Sequence, residues 1–518
     1  MDFLCGKLWM SFIILPVTAG NYRRRPNGYR YYDCSISSRV LILIFFALVI
    51  GLTVSNRLPT HAETRFVVVL ILLSMIMICG IIIVCSLGCL VRRHGLHSVV
   101  TTKRHAHTRK LQMIFIWIFG LSSALYCVLF VGKQIECLNT HGGLCWNVLF
   151  CFNIILILSL FMDIIFISYF SPYELKHSTA INYAMFLLIT ANISVILYIY
   201  LMKNTFLYLM EMNHGSQLRH CLENNSTMTV LLHTAKPFVD PTFVEFALLS
   251  ITILLEIWSP KQAYNSDNGL SAYTETNFGA ESQPLLNSVR VTEPQYSEIR
   301  GRRTLHQMVS LAVSITVGLG LIACYVIITL GIGDGYRIQY LVQIYELTMK
   351  TTMIVATFVG FFCLVQYCTP DESTKGLKSR DYVYLLSAFG LFMSHIWKAI
   401  GADVSPDQNA KLIFFTNVFS TFQDYLQVVF LLYANRCKKS DPRSNVNLLE
   451  SILIFIMISN FVFWFTDSFF ISTAHTMKHD HLPKELLRFV HDIFLPMCIF
   501  FRFTSFLEYY TTFGKFNS

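Results

Sequence analysis

Apolar runs long enough to cross a bilayer recur along this chain, each near the 20 or so residues that a hydrocarbon core of about 30 Å requires. Twelve are predicted as membrane helices. They are Val40–Ser55, Phe66–Leu90, Leu111–Val131, Trp146–Tyr169, Tyr183–Met202 and Phe243–Trp258, then Met308–Leu330, Tyr340–Tyr367, Tyr382–Ile400, Leu412–Ala434, Leu448–Phe470 and Phe489–Tyr509. The first is short, and the sixth is bounded by Pro237, Pro241 and Pro260. Between the sixth and seventh runs lies a long polar connector, 259–306, rich in Ser, Asn, Thr, Gly and Glu and without apolar periodicity. Such a stretch predicts a disordered linker. The expected fold class is an all-α membrane protein of twelve transmembrane helices in two homologous six-helix halves, 39–258 and 307–511. A tail at each end, 1–38 and 512–518, completes it.

Charge sets the orientation. The Lys and Arg gather in Val91–Lys110, Ser171–Ser178, the linker, Cys368–Arg380 and Arg436–Arg443. The positive-inside rule therefore puts those connectors, and both termini, in the cytoplasm. The opposite loop, Lys203–Asp240, carries overlapping glycosylation sequons at Asn224 and Asn225, which agrees with an outer face. Cys137, Cys145 and Cys221 fall on that face too and can supply one disulfide, with Cys137–Cys145 as the short-loop pairing. No cleavable leader is expected, because the apolar stretch near Met1 leads into basic Tyr22–Arg30 without a cleavage site.

Composition agrees with a membrane protein and narrows the function. Of 518 residues, 54% are hydrophobic and only 14% charged, too few charges to cover a soluble protein of this length. The formal charge of +9 sits in inter-helix loops, so nucleic acid is not an expected partner; lipid is. There is no Walker loop, HExxH or GxSxG, so no enzyme, cofactor or metal site is predicted.

Polar groups inside the apolar runs carry the chemistry. Asp163 stands mid-span among apolar neighbours, where a charge is unfavourable by about 2.5–3.5 kcal/mol and marks a functional site or a proton relay. An acid there can take up and release protons; the alternative is an inter-helix hydrogen bond. Gln423 and Gln427 share a helix face, with Asp424 beside it, so this stretch predicts a lined cavity. Asn192 and Asn460 both donate and accept. Asp467 lies two turns beyond Asn460, near the outer end. Glu245 sits early in the sixth run as a vestibule acid or an interfacial charge, and Arg502 needs a partner. Glu346 and Lys350 are spaced to pair, and His395 and Lys398 read as loop-edge groups. The external loop carries His475, His479 and His481, which titrate in the range of an acid sensor or belong to an ordinary polar loop.

The halves echo each other. Phe119-Gly120 answers Phe389-Gly390, Thr190-Ala191-Asn192 answers Ile458-Ser459-Asn460, Asp163-x-x-Phe166 answers Gln427-x-x-Phe430, and Pro241 answers Pro496. Four pairs in one order indicate an internal duplication, with Asp163 matched to Gln427.

Several short motifs resemble the otopetrins, a family of proton-selective channels. They are Phe119-Gly120-Leu121, Thr190-Ala191-Asn192, Pro241-Thr-Phe-Val-Glu245-Phe246, Ser387-Ala-Phe-Gly390, Gln423-x-x-x-Gln427-x-x-Phe430, Ser459-Asn460-x-x-x-Trp464 and Ile499-Phe-Phe-Arg502-Phe503. The resemblance implies two six-helix halves, a homodimer in the cell membrane, and proton flow down its electrochemical gradient, activated by external acid. The implied path runs through cavities lined by Asp163, Asn192, Gln423, Gln427 and Asn460. It also directs attention to Thr504, where many members carry His, as it does to Asp163, where many carry Gln. A proton-coupled secondary transporter using Asp163 and Asp424 is the alternative.

Overall fold

Long helices carry the chain, because in lipid only a helix satisfies its backbone groups within its own segment. The computed structural model describes residues 22–24, 30–32, 36–44, 47, 62–103, 108–137, 143–176, 178–199, 221, 226–258, 294–330, 335–370, 377, 379–403, 410–440, 446–470 and 484–517. The helices of the first half are α1 (Ala62–His94), α2 (Arg109–Glu136), α3 (Gly143–Phe170), α4 (Thr179–Leu197) and α5 (Thr227–Trp258). Those of the second are α6 (Pro294–Thr329), α7 (Gly335–Tyr367), α8 (Ser379–Asp403), α9 (Ala410–Ala434), α10 (Asn447–Phe469) and α11 (Lys484–Asn517).

Among the described residues, nine helices are long and apolar enough to cross a membrane: α1 to α8 and α10. Helices α9 and α11 are of similar length, but Gln423, Asp424 and Gln427 interrupt one and Arg502 and Glu508 the other. Both pack among the spanning helices. Helix α2 shows how sequence sets its placement. Ile114, Trp117, Ile118, Leu121, Leu125 and Val128 are exposed at helical spacing, while Ile116, Phe119, Gly120, Ser123 and Cys127 are buried. An outward apolar stripe of this kind suits lipid. The chain is a multi-pass membrane protein.

Among the described residues there are three antiparallel strand pairs, and two of them join distant connectors. Strands β1 (Tyr22–Arg24) and β2 (Arg30–Tyr32) pair near the N-terminus. Strand β3 (Val100–Lys103), after α1, pairs with β4 (Tyr173–Leu175), after α3. Strand β5 (Cys368–Pro370), after α7, pairs with β6 (Cys437–Lys439), after α9. The last two pairings stand at equivalent points of the expected repeat. Helix packing repeats as well: α1 meets α3 and α4, α2 meets α3 and α5, and α4 meets α5. In the same order α7 meets α9 and α10, α8 meets α9 and α11, and α10 meets α11.

The expected glycine pair has a packing reason. A Cβ on Gly120 would fall 2.5 Å from Ile164 Cδ1 and 2.9 Å from Phe246 Cε2, and one on Gly390 would collide with Met497 Cβ. Each glycine lets the third helix of its half close on the sixth. Overpacking at such a contact costs about 1–3 kcal/mol. Gly390→Ala should therefore lower the melting temperature of the purified protein, whereas Gly88→Ala, with nothing within 4 Å of the added carbon, should not.

Several expected boundaries move. The expected sixth run, Phe243–Trp258, agrees with the apolar window Pro241–Trp258, but the helix that carries it extends back to Thr227, where Ser226 accepts from Thr229 N at 3.3 Å and caps it. The fifth starts at Thr179, with Ser178 accepting from Ile181 N at 3.3 Å. The linker was expected to reach 306, yet α6 begins at Pro294; near its start His306 and Ser310 contact Ser451, and Gln307 donates to Glu450 at 2.8 Å. Helix α11 absorbs the expected tail as far as Asn517, where Thr512 and Lys515 donate to Asn435 at 2.6 and 2.8 Å. Most of the first expected span lies outside the described residues. Its start, residues 36–44, is helical, and Arg39 sits 5.6 Å over the Trp258 ring.

The disulfide corrects the short-loop pairing: Cys137 bonds Cys221, not Cys145. The reason lies beside it. Lys133, 2% exposed, contacts Glu136 at 3.1 Å and donates to Ser226 at 2.9 Å, and Ser226 donates to Glu136 at 2.9 Å. This knot ties the end of α2 to the start of α5 and brings Cys221 to Cys137. The bridge closes a sequence separation of 84, so Cys221→Ser should cost about 2–4 kcal/mol. Non-reducing peptide mapping should find the bridge intact in Cys145→Ser.

Candidate functional site

In the first half, α3 and α4 bring Asp163 and Asn192 together. Asp163 is 6% exposed, and Asn192 and Ser250 (on α5) flank its carboxylate. Neither carboxylate oxygen completes a well-directed hydrogen bond among the described residues. Asn192 gives one amide N–H to Leu188 O at 3.1 Å, which leaves its second N–H and the Ser250 hydroxyl beside the carboxylate. The carboxylate lines a cavity bounded also by Gly80, Ser159, Leu160, Ala191 and Phe246, with about 10 Å³ open to a water centre. That is near the minimum for one water, and the site has the polar partners a water needs.

A second polar group lies about three turns away along α3. Asn153 donates to Gln134 at 3.1 Å and accepts from Tyr198 at 3.2 Å, joining α2, α3 and the end of α4. The sequence reading passed over Asn153, Gln134, Tyr198 and Ser250. An isolated Asn in an apolar run was the available signal for Asn153; Ser250 had none, since serine is common in membrane helices.

The second half places its polar residues at matching depth. Gln427 stands seven residues before Ala434, the end of α9, as Asp163 stands seven before Phe170, the end of α3. Asn460 and Asn192 each lie thirteen residues beyond the first residue of their helix, Asn447 and Thr179. Here the amides bond one another. Gln423 donates to Gln427 at 2.7 Å, Gln427 to Asn460 at 2.9 Å, and Asn460 to Ile456 O at 2.8 Å.

Asp424 turns to a different set of partners. Arg502 reaches it at two points, Nη1 to Oδ1 at 2.7 Å and Nη2 to Oδ2 at 3.2 Å, and His395 Nε2 lies 3.1 Å from Oδ2. Asp424 is 0% and Arg502 2% exposed. His395 is buried and contacts Asn417 at 3.2 Å, so it is not the loop-edge group expected. Lys350 pairs with Glu346 at 3.8 Å, as the spacing predicted, and Tyr325 donates to Glu346. Asp467 interacts electrostatically with Arg502, Lys398, Glu346 and Lys350, which makes it part of this cluster. Thr504 donates to Phe500 O at 2.8 Å and Phe501 O at 3.1 Å; among its described contacts these are local bonds to its own helix.

The seam between the halves holds Glu245. It is 1% exposed and accepts from Trp464 Nε1 and from Ser468 at 3.3 Å, so it is a buried cross-link rather than an interfacial charge. Around it Phe115 and Phe119 of α2 meet Phe503 at centroid distances of 4.8 and 5.3 Å, and Trp464 meets Phe503 at 5.6 Å. Towards the hairpin end of α5, Glu256 approaches Arg380 at 3.5 Å, and Arg380 also pairs with Glu508 at 2.8 Å. His475, His479, His481, Asn224 and Asn225 lie outside the described residues. Among those described, no group of three or more His, Cys, Asp or Glu is arranged to hold a metal ion.

The family model described as Otopetrin matches residues 208–503, a span holding Glu245, the α9 amides, Asn460, Trp464 and Arg502. The search of curated proteins found no match.

Proposed function

The chain belongs to the otopetrin family, a family of membrane channels rather than enzymes, and from that premise we propose that it is a proton-selective channel. It carries H⁺ down its electrochemical gradient and is activated by external acid. Asp163 carries the reading: a buried carboxylate with an unfilled hydrogen-bonding capacity beside a cavity large enough for water. An acid that can both accept and donate, next to water, is the chemistry a proton relay needs. Asn192 and Ser250 orient the water that exchanges protons with it.

The architecture proposed with it is twelve spans in two homologous halves, supported by the repeated helix packing, the paired hairpins and the matched depths of Asp163 and Gln427. The hairpin side is cytoplasmic, with both termini, because its connectors hold the Lys and Arg. The disulfide side faces outward, where an oxidising medium supports the bridge. The protein acts at the cell membrane as a homodimer, is glycosylated at Asn224 or Asn225, and senses acid through the loop of His475, His479 and His481.

Whole-cell recording at low external pH, with impermeant principal ions, tests the channel reading. The reversal potential should follow the proton gradient. Absence of current together with substrate-dependent proton uptake would replace the channel by a proton-coupled transporter.

A further inference from the structure

We propose that the two halves are unequal: protons cross through the Asp163 cavity of the first half, and the buried Arg502–Asp424 pair closes the corresponding route in the second. This rests on the channel reading and deepens it by assigning the path. Aligning Asp163 with Gln427 and Pro241 with Pro496 puts Leu160 at the position of Asp424 and Ala247 at that of Arg502. Leu160 borders the cavity, as does Phe246, the neighbour of Ala247. In the first half the equivalent positions are therefore apolar and border a cavity of about 10 Å³ that Asp163 lines. In the second they are filled by a cation and an anion in two-point contact.

The chemistry of the two sites differs in the same direction. A proton moves along a chain only if each member can both accept and donate. A carboxyl group and water can; a guanidinium has donors alone and does not give up its proton. The second half's amides are already committed in a directed line, Gln423 to Gln427 to Asn460 to Ile456 O. A fixed arginine also repels an excess proton, a device that pores use to exclude protons and cations. The other charged groups facing the pair are His395, Lys350, Lys398, Glu346 and Asp467. The cations among them reinforce the barrier, and Glu346 and Asp467 balance them without supplying a continuous path.

The test is a set of four channels recorded at matched surface expression: wild type, Asp163→Asn, Arg502→Gln/Asp424→Asn, and all three substitutions together. The paired amides keep the shape and remove both charges, which avoids stranding one. Asp163→Asn should lose the current. In the triple variant the current should return to at least about tenfold above Asp163→Asn alone, the factor for roughly 1.4 kcal/mol of barrier. Two results overturn the assignment: a triple variant as silent as Asp163→Asn, or an Asp163→Asn channel that still conducts and is silenced by Gln427→Leu. Absence of wild-type current would instead overturn the channel reading itself, and this assignment with it.

Discussion

Asp163→Asn should reduce the proton current by about 100-fold or more, the low end of what a positioned acid–base group contributes. The substitution is nearly isosteric, so the packing of α3 against α1 and α2 should survive, and surface expression should stay at the wild-type level. What is lost is a single capacity. A carboxylate takes up a proton and releases it; an amide at the same place can only hold water. Asp163→Glu keeps that capacity but reaches one methylene further into a cavity with about 10 Å³ for a water centre, so it should retain part of the current. A merely structural Asp163 would give the opposite order, because Asn would keep the shape and Glu would crowd it. The measurement is current density at low external pH, normalised to surface protein. Undiminished current in Asp163→Asn would remove this residue from the path.

Much of this arrangement was legible in the sequence. Apolar runs mark the helices because lipid allows little else, and isolated polar residues within them mark the interior. Asp163, Asn192, Gln427 and Asn460 stand out that way, and all four are buried. Helix ends were less legible: caps such as Ser226 and docking contacts such as those of Asn435 extend α5 and α11 beyond their apolar cores. Partner choice was the least legible part. Periodicity shows that Asp424 lies beside the Gln face, but not that Arg502, 78 positions on, would reach it. Glu245 read as a vestibule acid or an interfacial charge because it follows Pro241 at the start of the apolar run. It does lie early in the apolar window Pro241–Trp258, but there it is buried and meets Trp464 of the other half. Disulfide pairing failed for a related reason, since loop length says nothing of the Lys133–Ser226 knot that aligns Cys221.

Two classes of polar contact emerge, and they divide by what they leave unfinished. The seam between halves is bridged by Trp464 and Ser468, both on Glu245 Oε1, with Phe115, Phe119 and Trp464 packed edge-on or tilted against Phe503. The second half's amides and ion pair bond one another, with Gln423 Oε1 left without a partner among the described residues. Buried networks of this kind rigidify a core when each member is satisfied. Asp163 differs in that both of its carboxylate oxygens lack a partner among the described residues, and an unfinished buried polar group is costly unless water or function accounts for it. The cavity beside it accounts for it, which is why the conducting role is placed there.

Removing one charge of the Arg502–Asp424 pair should be far more damaging than removing both. Either single substitution, Asp424→Asn or Arg502→Gln, leaves an uncompensated charge at a site at most 2% exposed, a loss of about 3–5 kcal/mol for a buried pair. His395 and Lys350 remain near Asp424, and Asp467 near Arg502, which should hold each single loss towards the lower end. Even so, this is a large part of the stability typical of a folded protein, about 5–15 kcal/mol, and both single variants should melt at markedly lower temperature and reach the surface poorly. The joint variant exchanges an ion pair for two amides of similar shape that can bond each other, so most of the loss should be recovered. The readout is thermal unfolding of the detergent-purified protein in a double-mutant cycle. The coupling should be large, with the joint effect well below the sum of the single ones. Additive losses would mean that the two charges are held by other partners and that the pair is not a unit. That result would also weaken the case for a plug, because a cation free of Asp424 would not be fixed across the second half's route.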